Sequence, residues 1–129
     1  METFLLISAG AFVGANVRFV VSGWAANRFG TGFPIGTLIV NLAGCFAIGL
    51  FLGILTSRFD DDPEARLLVA TGFLGAETTF STFAYESVTL LRGGHYGPAL
   101  RYVLGSTVLG LAGTAVGLAL ADLVTGGAW

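Results

Sequence analysis

Gly72-Phe73-Leu74-Gly75-Ala76-Glu77-Thr78-Thr79-Phe80-Ser81-Thr82-Phe83 places five hydroxyl-bearing or acidic side chains inside otherwise apolar sequence. Unpaired polar groups at membrane depth cost several kcal/mol each, so polar segments there line a water-filled path or bury against protein. The run Thr78, Thr79, Ser81 and Thr82, preceded by Gly72 and Gly75, makes a poor continuous helix, because short hydroxyl side chains compete for backbone hydrogen bonds. A helix break is expected here. A break frees backbone carbonyls, the ligands that hard monovalent cations accept. Phe80 and Phe83 lie three apart and share a face where helix resumes. Their rings have positive edges, so edge-on they offer an anion a contact without a full charge. Two phenylalanines at helical spacing also serve as ordinary core packing.

Outward from that segment, composition sets the solvent. The chain is 54% hydrophobic and 11% charged, with a mean hydropathy of +0.82, against roughly 25% charged residues in a typical soluble domain. Apolar stretches at about 3–25, 34–56, 65–91 and 98–124 are each near the ~20 residues a helix needs to cross a bilayer. We expect an all-α membrane protein: one domain over residues 1–129, with four transmembrane helices and the third broken mid-membrane. The first stretch lacks a basic leader and contains Arg18, so no cleaved signal peptide is expected. The connections 26–33, 57–64 and 92–97 are short, and Asp60-Asp61-Asp62-Pro63 is a turn that starts the third helix.

Cys45 is the only cysteine, which excludes an intrachain disulfide and a cysteine metal cluster and leaves packing as its expected role. His95 is the only histidine and falls in a loop, with no acidic neighbour in sequence to make it a sensor. The chain has no lysine, no basic patch and no glycine-rich phosphate loop, so nothing suggests nucleic acid. Four spans put Arg58 and Arg66 on one side, against Arg28 and Arg92 on the other, with Arg101 just inside the last span. The bias that fixes orientation is near zero, and a chain inserting both ways forms an antiparallel pair. Gly10 and Gly14, Gly49 and Gly53, and Gly113 and Gly117 have the spacing that lets helix backbones meet. So thin a bundle encloses no wide cavity, so any permeant is small or the pore is shared between subunits.

Polar residues within the spans mark candidate permeation groups, because such residues face the bundle interior or water. Arg18 and Asn41 lie on the first two spans, and Tyr102 and Ser106 stand one turn apart on the last. Asn41 offers amide N–H donors, which an anion needs and a cation does not. The bland alternatives are snorkelling for Arg18, a helix-to-helix bond for Asn41, and packing for Tyr102 and Ser106.

Three motifs carry a resemblance over essentially the whole chain. Gly14-Ala15-Asn16-Val17-Arg18-Phe19 resembles the first-helix element of the Fluc (CrcB) fluoride-channel family. Gly36-Thr37-Leu38-Ile39-Val40-Asn41-Leu42-Ala43-Gly44 resembles its second-helix asparagine element. Gly75 through Phe83 resembles its Gly-Gly-x-Thr-Thr-Phe-Ser-Thr-Phe signature, the most specific of the three. Tyr102 and Ser106 match the family's fourth-helix polar track, but Gly110 stands where members can have a further serine. Gly75-Ala76-Glu77 replaces the usual Gly-Gly-apolar triplet, and Glu77 is the most consequential departure.

The resemblance implies passive fluoride exit from the cell through a dual-topology antiparallel homodimer in the cell membrane. It implies a structural sodium ion held by backbone carbonyls of Gly75 and Thr78. Phe80 and Phe83 would be the ring contacts, Asn41 the amide beside them, Ser81 and Thr82 part of the polar wall, and Arg18 a vestibule residue. Glu86 matches an acidic position near a pore mouth. A heterodimer with a related subunit is a variant of that assembly. Two rival classes remain: a proton-coupled exporter like the small multidrug-resistance proteins, and a non-transporting membrane assembly subunit. The first relies on a first-helix glutamate, where this chain has only Glu2; Glu77 is the residue that keeps it open.

Overall fold

The computed structural model describes residues 1–59 and 62–127. Asp60 and Asp61 of the expected acidic turn lie outside the described residues. Every regular element described is helical. Helix α1 spans Glu2–Phe29, α2 Ile35–Arg58, α3 Pro63–Ala65, α4 Gly75–Glu77, α5 Phe80–Arg92 and α6 Tyr96–Thr125, with a wide-turn π-helical stretch at Arg66–Leu74 between α3 and α4. Helices α1, α2 and α6 are long and apolar enough to cross a membrane. The segment from Pro63 to Arg92 is helix interrupted at Thr78 and Thr79, both in extended conformation.

Local chemistry explains the ends. The Asp62 carboxylate accepts from the Glu64 and Ala65 amides at 2.9 and 3.4 Å, with Pro63 as first helical residue, which satisfies donors a helix start leaves open. Helix α1 runs beyond the apolar stretch that ends at residue 25 and stops at Gly30, whose φ of 79° is left-handed, a conformation cheap for glycine alone. Helix α6 begins at Tyr96, two residues before the expected stretch, which puts Pro98 in its first turn. The proline's missing N–H costs nothing at that position. The π-helical stretch was not foreseen from sequence, since an extra residue per turn leaves the apolar pattern almost unchanged.

The bundle is held by small-residue contact. Helices α2 and α6 pack along their length: a Cβ at Gly49 would strike the Thr114 carbonyl, one at Gly53 the Ala121 methyl, and one at Gly117 the Phe46 carbonyl. Helix α1 meets the third segment in the same way, with Gly10 against Leu68 and Phe73 and Gly14 against Phe73 and Glu77. Among the described residues only Val40 and Tyr102 are large side chains with essentially no exposure, while Phe4, Phe12, Phe19 and Leu111 point outward. In water that inversion would aggregate; in lipid, association rests on close backbone contact, because hydrocarbon is as apolar as leucine.

Candidate functional site

The break is fastened by Asn41. Its Oδ1 accepts from the Thr79 amide at 2.8 Å, and its Nδ2 donates to the Thr79 carbonyl at 3.1 Å. One side chain thus replaces both backbone partners that Thr79 forgoes by leaving the helix. The Thr79 hydroxyl caps α5, accepting from the Thr82 amide at 3.2 Å and donating to the Thr82 hydroxyl at 3.0 Å, with Ser81 Oγ at 3.3 Å. Thr78 turns its own hydroxyl back to the Leu74 carbonyl at 2.9 Å.

These bonds decide which carbonyls are free. In a continuous helix the Gly75 carbonyl would receive the Thr79 amide, and the Thr78 carbonyl the Thr82 amide. The first of those donors goes to Asn41 and the second to the Thr79 hydroxyl. The Ala76 and Glu77 carbonyls lose the Phe80 and Ser81 amides in the same way, so the break releases four carbonyls in a row; of the four residues, Gly75 and Thr78 line the cavity at the break. Two unclaimed carbonyls are a donor set that suits a hard monovalent cation. No cluster of three or more His, Cys, Asp or Glu that could hold a metal occurs among the described residues.

Glu77 lies beside that set at 6% exposure. Its Oε2 is next to Gly44, where an added Cβ would come within 3.0 Å of it. Its carboxylate takes no hydrogen bond or ion pair from the described residues. The Ser81 hydroxyl, one turn on, is engaged with Thr79.

A second polar group lies further along α5. Glu86 Oε1 accepts from the Thr37 hydroxyl at 2.8 Å and Oε2 from the Tyr102 hydroxyl at 2.7 Å. Thr37 is four residues before Asn41 on α2 and so on the same face, a spacing by which the sequence reading could have found it. A cavity of about 240 Å³ opens onto Glu86 and Thr37 from the α1–α2 connection. A larger one, about 400 Å³, lies at the break and is lined by Asn41, Thr78, Phe80 and Ser106 among others.

Between the two cavities runs a string of rings. Phe33 meets Tyr102 edge-on at 5.5 Å, Tyr102 meets Phe83 at 5.2 Å, and Phe83 meets Phe80 at 5.6 Å with the planes tilted 43°. Phe33, in the first connection, carried no sequence signal. Phe80 is 80% exposed, so one chain leaves the outer end of the string uncovered. The structure thus groups Asn41, Phe80, Phe83, Tyr102, Ser106 and the Thr79 cap residues Ser81 and Thr82. Arg18 stands apart on α1, half-buried, with no bond to these groups among the described residues.

Comparison with known proteins is consistent along the chain. The family model for CrcB-like protein, Camphor Resistance (CrcB), matches residues 5–118. A protein of Chloroflexus aurantiacus named fluoride-specific ion channel FluC is 48% identical over 120 residues, covering 93% of this chain and 95% of that one. The protein of the same name from Chlorobium phaeobacteroides is 50% identical over 119 residues, covering 92% of each chain. That from Maridesulfovibrio salexigens is 43% identical over 124 residues, covering 96% of this chain and 98% of its own.

Proposed function

The chain belongs to the CrcB family of integral membrane ion channels and is not an enzyme; on that premise we propose that it is a fluoride-selective passive channel that lets fluoride leave the cell. The observation that carries the reading is the cavity at the break, where neutral polar side chains and the Phe80 ring meet without a cationic side chain. Fluoride is small and strongly hydrated, so a selective path replaces its water with several modest donors rather than one trapping charge. Asn41 spends one amide hydrogen on Thr79 and keeps the other for the cavity. The Glu86 carboxylate binds the Thr37 and Tyr102 hydroxyls, and an entering anion competes for those same hydrogens. In liposomes, the purified protein is expected to release fluoride down its gradient and chloride at least about a hundredfold more slowly, equivalent to ~2.7 kcal/mol in barrier height. Equal fluxes would overturn the reading; fluoride movement only under a proton gradient would replace it with the proton-coupled one, for which the unpartnered Glu77 is the motivating residue.

The assembly we propose is a four-span chain in a dual-topology antiparallel homodimer. The balanced arginines support it, as does the 80% exposure of Phe80 at the end of the ring string. The Gly75 and Thr78 carbonyls would hold a structural sodium ion, which supplies a positive charge at the meeting of two breaks. An ionised carboxylate buried without a partner is strongly unfavourable, so Glu77 acts as the counter-charge beside that cation rather than as a permeation group. Replacing sodium by a large organic cation is expected to lower the dimer's melting temperature, and Glu77→Gln to raise the sodium concentration needed for half-maximal stability. A melting temperature indifferent to sodium would remove the ion from the proposal. A single cysteine placed in the 30–34 connection, in a Cys45→Ala background, should react from both membrane sides, and one-sided labelling would refute dual insertion.

A further inference from the structure

We propose that fluoride enters the path through the recess at Arg101, which gathers the anion from water and passes it over Phe33 to the hydroxyls at Glu86. The inference rests on the channel reading above and gives that path an outer mouth. Pro98 and Arg101 are three residues apart and share one face of α6; with Gly32 and Phe33 they line a recess of about 370 Å³. The cavity of about 240 Å³ that holds Thr37 and Glu86 is lined by Gly32 and Phe33 as well. Gly32 has no side chain, so the Phe33 ring is what stands between the two. On its inner side the ring meets Tyr102 edge-on at 5.5 Å, and the Tyr102 hydroxyl donates to Glu86 at 2.7 Å.

Charge points the same way. The Glu86 carboxylate repels an incoming anion, and a positive group near the mouth offsets that repulsion. Arg101 is the only basic side chain lining either cavity among the described residues. Its guanidinium is uncommitted, with no ion pair or hydrogen bond among those residues, whereas Arg58 donates to the Val124 carbonyl at 2.6 Å and Arg28 lies over the Phe29 ring. Nor does it quench Glu86, whose two oxygens take the Thr37 and Tyr102 hydroxyls. Arg101 is exposed, so it raises the local concentration of anions while water keeps its hold on any one of them weak. Past the ring, the Thr37 and Tyr102 hydroxyls are the first neutral donors an anion meets.

The test is fluoride efflux from liposomes, normalised to protein that elutes as dimer, at about 10 mM and about 1 M of an impermeant salt, between which the screening length falls from ~30 to ~3 Å. Wild-type flux should fall about fivefold across that range as the field of Arg101 is screened. Arg101→Gln should run about fivefold below wild type at low salt and match it at high salt, with Arg101→Glu lower still at low salt. A second variant tests the passage itself. An added Cβ at Gly32 meets no atom within 4 Å, so Gly32→Cys in a Cys45→Ala background has room to assemble, and a methanethiosulfonate adduct attached there before reconstitution should remove most of that variant's own flux, whether the adduct is positive or negative. Wild-type flux indifferent to salt, an Arg101→Gln deficit that persists at high salt, or an adduct at position 32 that leaves flux unchanged overturns the proposal. A wild-type protein that passes no fluoride at either salt concentration defeats the channel reading itself, a result distinct from these.

Discussion

Replacing Asn41 by aspartate is expected to reduce fluoride flux by roughly a thousandfold while the dimer still assembles. The carboxylate keeps one half of the clamp, since an oxygen remains to accept the Thr79 amide now held at 2.8 Å. It loses the other half, the donation to the Thr79 carbonyl at 3.1 Å, and with it the amide's second hydrogen, on a residue that lines the cavity. It also adds a negative charge. Two like charges about 4 Å apart at an effective dielectric constant near 20 repel by about 4 kcal/mol, and each ~1.4 kcal/mol in a barrier is tenfold in rate. The readout is fluoride efflux from liposomes, normalised to protein that elutes as dimer. Efflux within a fewfold of wild type would take Asn41 out of the path and leave it only as the fastener of the break.

Much of this was legible because the physics is local. The five polar side chains between residues 77 and 82 announced a break, and Thr78 and Thr79 are where the helix stops. The glycine pairs announced close backbone contact, and the surfaces that meet Gly10, Gly14, Gly49, Gly53 and Gly117 are now named. What sequence did not show was pairing across helices. That Asn41 closes on the Thr79 backbone, and that Thr37 and Tyr102 share Glu86, depends on how α2, α5 and α6 are rotated about their axes. Residues four apart on one helix announce a face, not what lies opposite. The π-helical stretch at Arg66–Leu74 escaped for a related reason: nothing in Leu67, Leu68 or Val69 distinguishes a wide turn from an ordinary one, and the stretch packs against Gly10 and Gly14 of another helix.

Phe83→Ile is expected to lower fluoride flux by at least tenfold, and Phe80→Ile by a similar factor, with neither disturbing the fold as Asn41 variants can. Isoleucine keeps most of the apolar area, so burial energy changes little. It lacks a ring edge, and that edge carries the partial positive charge an anion can touch. Phe83 stands in the middle of the string, 5.2 Å from Tyr102 and 5.6 Å from Phe80, so its loss interrupts the only aromatic continuity between the Glu86 cavity and the break seen among the described residues. Phe80, at 80% exposure, is the more informative of the two. If it only packed against lipid, isoleucine would serve as well and flux would not change. If it completes a pore with a partner subunit, flux falls although nothing within its own chain encloses it. Fluoride efflux from liposomes containing each variant separates these cases. Normal conduction in both would reduce the phenylalanines to packing and leave the donors of Asn41 and Ser106 to carry selectivity alone.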